Sequence, residues 1–105
     1  MLYQFTDSNR EKFVNIRNKL IDFCESKGYN IGPNSGGGSR GKNLKEAWQY
    51  QFVNASGKEV LYYEFDNITG LYNAKVKTNF SDLEEKVIKK IVSTEIEEYQ
   101  RNSLL

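Results

Sequence analysis

The 105 residues have room for one domain with one core, which excludes a two-domain enzyme within them. Fifteen Lys and Arg against fourteen Asp and Glu leave a formal charge of +1, so any attraction to nucleic acid or an acidic membrane must come from a local patch. The absence of histidine excludes Ser-His-Asp, Cys-His and zinc-hydrolase chemistry, since the usual general base and metal ligand are missing.

Met1 to Asp7 has neither the basic start nor the apolar run of an export signal, and it carries no predicted element. No later stretch reaches the roughly 18 apolar residues of a membrane span. With Cys24 as the single cysteine no internal disulfide is possible, and the expected setting is the reducing cytoplasm.

The first predicted helix covers about residues 8–27. Phe13, Ile16, Leu20 and Phe23 or Cys24 recur at helical steps, Ser8 and Glu11 have capping-box spacing, and Gly28 suits the left-handed position after the last turn. From 28 to 45 the periodicity stops, and six of the eight glycines fall there. The segment reads as a long Gly-rich loop, longer than compact domains usually carry without a binding role. Gly36, Gly41 and Lys42 satisfy part of a phosphate loop, but Asn43 stands where a hydroxyl should hold magnesium. What remains is a linker that presents Arg40, Lys42 and Lys45 to an anion or a partner, with only Glu46 nearby to offset them.

Three strands follow at about 46–54, 58–66 and 71–78, joined by short Gly-ended turns that imply an antiparallel meander. Trp48, Tyr50 and Phe52, then Leu61, Tyr63 and Phe65, then Tyr72, Ala74 and Val76 alternate onto one apolar face. The opposite face presents Gln49, Gln51, Val60, Tyr62, Glu64, Lys75 and Lys77. A second helix is predicted over about 81–101, with Ser81 and Glu84 at capping spacing and Leu83, Val87, Ile88, Ile91, Val92, Ile96 and Tyr99 as its stripe. The expected fold is therefore α+β: a single two-layer α-β-β-β-α domain, a three-stranded antiparallel meander with both helices packed on one face.

This helix, three strands, helix order resembles that of double-stranded RNA-binding domains, which implies contact with RNA phosphates through a lysine-rich start of the second helix. In this chain Ser81-Asp82-Leu83-Glu84-Glu85 stands at that position, and its carboxylates would repel phosphates. In size and composition the chain is also similar to small inhibitors encoded by phages and mobile elements, such as anti-CRISPR proteins, which implies stoichiometric occlusion of a partner.

No catalytic set, metal-ligand cluster or cofactor motif is visible. Glu64 and Asp66, two apart on one strand, are the one carboxylate pair that could serve a metal-dependent nuclease, yet Asn73 occupies the acidic position two before Lys75 that a restriction-type site requires. The leading expectation is a non-enzymatic protein-binding module, monomeric or homodimeric, using Arg40, Lys42, Lys45, Gln49, Gln51, Tyr62, Lys75 and Lys77. The alternative is a nucleic-acid module with Arg40, Lys42, Lys45, Lys75 and Lys77 on phosphates and Tyr62 stacking on bases.

Overall fold

In a computed structural model, which describes residues 1–38, 44–68, 70–79, 82–96 and 100–102, the sheet is wider than a three-stranded meander. The elements run β1 (Leu2–Asp7), α1 (Arg10–Ser26), β2 (Asn30–Ile31), β3 (Gly36–Gly38), β4 (Leu44–Val53), β5 (Glu59–Ile68), β6 (Leu71–Thr78), α2 (Asp82–Glu95) and β7 (Gln100–Asn102). All strand pairs are antiparallel, in the order β2-β4-β5-β6-β1-β7, with β3 also on β4. The α-β-β-β-α order is thus corrected, and with it the element order shared with double-stranded RNA-binding domains.

The extra strands arise from pairings that local periodicity does not reveal. In β1, Tyr3 and Phe5 alternate with Leu2, Gln4 and Thr6, but the strand is fixed by β6, where Leu2 lies opposite Lys77 and Phe5 opposite Ala74. Both aromatic rings enter the core, Tyr3 fully buried and Phe5 nearly so. The predicted loop 28–45 is instead partly sheet: Asn30 and Ile31 pair with Val53 and Phe52, and Gly36 to Gly38 pair with Gln49 to Ala47. Glycine disfavours strands in isolation. Here the absence of a side chain is required, because a Cβ on Gly37 would land within the Trp48 ring that lies across it.

The meander itself follows the alternation. Trp48, Phe65, Ala74 and Phe5 form one row across β4, β5, β6 and β1, and Tyr50, Tyr63, Val76 and Tyr3 form the next. Phe13 from α1 fills the space above them, its ring 5.2 Å from Tyr72, 5.7 Å from Phe5 and 6.2 Å from Phe65. Ile16, Leu20 and Cys24 continue that stripe, and Ile88, Val92 and Ile96 join the same cluster, so both helices cover the aromatic face. The Tyr63 hydroxyl, buried with its ring, donates to the Phe13 carbonyl oxygen at 2.9 Å.

The helix ends differ from the sequence reading by a few residues, for local reasons. Asn9, not Ser8, caps α1: its side chain accepts from the Glu11 N–H at 3.0 Å, while Asp7 Oδ1 accepts from the Asn9 N–H at 2.8 Å. Gly28, at φ +79°, closes the other end, with its N–H on the Glu25 carbonyl oxygen and that of Tyr29 on Cys24. α2 ends at Glu95 instead of near 101. Ser93 Oγ and Thr94 Oγ1 both bond back to the Lys90 carbonyl oxygen, a competition that weakens a last turn. Val87, expected in the core stripe, is exposed, and Leu83 and Tyr99 of that stripe lie outside the described side chains. Val60, assigned by alternation to the polar face, is buried beside the register irregularity between Phe52 and Val53.

Candidate binding face

With both helices on the aromatic side, the other face of β4, β5, β6 and β1 is left uncovered by them. Register sets its rows: Gln49, Glu64, Lys75 and Gln4 share one, and Gln51, Tyr62, Lys77 and Leu2 the next. Five of the eight residues expected to bind a partner therefore lie together here: Gln49, Gln51, Tyr62, Lys75 and Lys77. Arg40 and Lys42 lie outside the described residues, as does the side chain of Lys45.

These side chains are bonded to one another. The Tyr62 hydroxyl, reaching along the strand, donates toward Glu64 Oε2 at 3.0 Å and Gln49 Oε1 at 3.2 Å. Burial, with the hydrogen bond to Glu64 second, pushes that phenol up to about 12. Lys75 Nζ lies 3.3 Å from Glu64 and Lys77 Nζ 4.0 Å from Glu59, with each lysine side chain about half exposed. Gln51 is buried. Its Oε1 accepts from the Asn34 N–H and its Nε2 donates to Glu59, both at 3.0 Å, while its own N–H donates to Ser35 Oγ at 2.9 Å. Gln51 thus ties the 32–35 excursion between β2 and β3 to the sheet, and Gln49, half-buried with its Nε2 donating to the Asn34 carbonyl oxygen at 3.4 Å, is the better placed of the two amides to meet a partner.

Beside Gln49 the small residues Gly36 and Ala47 leave a cleft of about 60 Å³, with Glu64 and Asp66 on its wall. Asp66 Oδ1 is buried, with no hydrogen-bond partner among the described residues. Glu64 is already engaged by Tyr62 and Lys75, and among the described residues no group of three Asp, Glu, Cys or His side chains is placed to hold a metal ion.

A second polar cluster, on the helix side, escaped the sequence reading. The Glu46 carboxylate accepts from Arg10 Nε and Nη2 at 2.9 and 2.8 Å, from Trp48 Nε1 at 2.7 Å and from the Tyr72 hydroxyl at 2.6 Å. Arg10 above all, then Tyr72 and Trp48, hold this carboxyl down to about 2, against the opposing effect of burial. Glu46 was expected to offset the glycine-segment cations. Among the described residues it is bound by Arg10, which ties the start of α1 to β4, and by Trp48 and Tyr72, and these bonds are structural. The signal that could have found it is the arrangement of Glu46 and Trp48 two apart on one strand face, with an Arg opening the helix above.

Cys24 is fully buried, and burial first, then the nearby Glu84 charge, pushes its thiol up to about 12. No helix among the described residues is long and apolar enough to cross a membrane. Comparison with protein families, with curated proteins and with solved structures finds no match to this chain.

Proposed function

We propose that the chain is a non-enzymatic binding module that acts stoichiometrically, seating another protein on the outer sheet face and occluding that partner's functional surface in the manner of the small inhibitors to which its composition is similar. One observation carries the reading: the face left free by the helices is a hydrogen-bonding surface whose cations are matched by carboxylates, Lys75 by Glu64 and Lys77 by Glu59. A polyanion would have to displace those carboxylates or be repelled by them, whereas a protein surface offers both signs of charge. The half-buried amide of Gln49 and the half-buried ring of Tyr62 suit the same partner, since Tyr supplies contact area at low entropic cost. The buried, protonated thiol of Cys24 and the raised phenol of Tyr62 are poor catalytic groups, which supports a non-enzymatic role.

The test is position-dependent photo-crosslinking in cells that make the protein. A benzoylphenylalanine probe replaces Gln49 on the outer face or, as control, Lys89 on the exposed side of α2. Protein adducts at 49 and none at 89 are expected. Equal adducts from both positions, or adducts at 49 that a nuclease removes, would overturn the reading.

A further inference from the structure

We propose that the outer sheet face pairs with the same face of a second copy of this chain, in a face-to-face homodimer whose two-fold axis runs along the strands between β5 and β6. The inference rests on the outer face being a protein-docking surface, and it names the occupant of that face in the free protein, a second copy that the seated partner displaces.

The charges on this face are segregated by strand. Glu59 and Glu64 belong to β5, and Lys75 and Lys77 to β6, while the flanking strands place uncharged Gln49 on one side and Gln4 on the other. The pattern therefore changes sign across the line between β5 and β6. A surface with that antisymmetry is complementary to its own copy rotated by half a turn about the line, which is the requirement of an isologous interface. Because Glu64 and Lys75 are direct cross-strand partners, they stand at the same height along the axis. The rotation then sets Glu64 over Lys75 of the second copy and Lys75 over its Glu64. Four charges close into one alternating network, with β4 of each copy over β1 of the other.

Within one chain the Lys75–Glu64 and Lys77–Glu59 pairs are about half exposed at the lysines, where isolated pairs contribute little. Joined into a network with water excluded, the same groups interact more strongly. At strand spacings of about 4.8 Å and a rise of about 3.4 Å per residue, β5 and β6 over eight residues with β4 and the six-residue β1 over six cover about 450 Å² per copy. The total of about 900 Å² falls just short of the roughly 1,000 Å² of a specific interface, so the dimer is weak and sensitive to salt. The sheet edges compete poorly for the second copy: β2 and β3 are two and three residues long with Pro33 between them, and β7 has three residues.

The experiment is sedimentation equilibrium of the purified chain at about 20 mM and about 500 mM salt, where screening differs several-fold. Two charge-reversed variants accompany it, Lys75→Glu with Lys77→Glu, and Glu59→Lys with Glu64→Lys, each checked for folding by circular dichroism. The wild-type mass is expected to climb toward twice the monomer at low salt and to fall back at high salt. Each variant alone should stay monomeric, and their equimolar mixture should recover a dimer at least about ten-fold tighter than either variant makes by itself. If a reversal fails to fold, Lys75→Gln, which adds no repulsion, should still weaken the wild-type dimer several-fold. A wild type that remains monomeric at millimolar concentration, or a dimer indifferent to these substitutions, overturns the proposal. A monomer whose Gln49 probe still captures protein, with none captured at Lys89, rejects only the second copy as occupant; loss of that position dependence rejects the docking face itself.

Discussion

Trp48, Tyr50 and Phe52 alternate along β4 with Gln49 and Gln51, so the two sides of the sheet share a single backbone and differ only in what their side chains meet. On the helix side, Phe65, Tyr63 and Val76 retain at most 1% of their exposure, and their polar atoms are few and satisfied locally, as when Tyr63 bonds to Phe13. On the outer side, Lys75, Lys77 and Glu64 keep roughly a third to a half of theirs, and each of these charges is paired with a neighbour that water could replace. Burial of an aromatic side chain contributes about 2–3 kcal/mol, whereas an exposed ion pair contributes under about 1 kcal/mol. The comparison teaches that stability is concentrated on one face, which leaves the other free to be shaped for contact.

The sharpest way to break this division is to empty the helix side. Phe65→Ala removes the ring between Tyr63, Phe13 and Tyr72, and a loss of about 3–5 kcal/mol is expected, read as a fall in the urea midpoint. An effect below about 1 kcal/mol would mean that the aromatic cluster is not the main source of stability. Gly37→Ala comes next. Its new methyl group would displace the Trp48 ring and with it the bond from Nε1 to Glu46, for an expected loss of about 2 kcal/mol, whereas in a free loop the same change would be neutral or stabilising.

Glu46→Gln is expected to cost about 1–2 kcal/mol at neutral pH and to change the response to acid. The folded carboxyl sits at about 2, below its ordinary 4.5, so its contribution is fully present above pH 4.5 and is lost as pH falls toward 2. Asp7, lowered by its hydrogen bond to Lys12, acts in the same direction. Acid unfolding followed by circular dichroism should therefore show a gentler slope between pH 4.5 and 2 in the variant, and an unchanged slope would remove Glu46 from the account.

What the sequence made legible follows the range of the interactions involved. Period-two alternation assigned nine side chains of the three long strands to one face, and seven of these are buried, with Trp48 and Tyr50 packed against the core at its margin. The outer row was readable for the same reason, and the Glu64–Lys75 pairing could have been taken from the turn lengths. β1 was not legible as a strand because its partner, β6, lies about seventy residues away. Gly36 to Gly38 carry no pattern at all, and only the Trp48 ring beside them explains why glycine forms that edge. The Ser8 cap failed through competition with Asn9, one residue on.

The central claim is that the outer face can be rewritten without unfolding the domain, as a contact surface must be. Urea unfolding of the combined variant Gln49→Ser, Lys75→Gln and Lys77→Gln tests it most directly. The account predicts a summed loss below about 1.5 kcal/mol with an unchanged denaturant slope. A loss comparable to that of Phe65→Ala would contradict it, and would make the outer lattice part of what holds the fold.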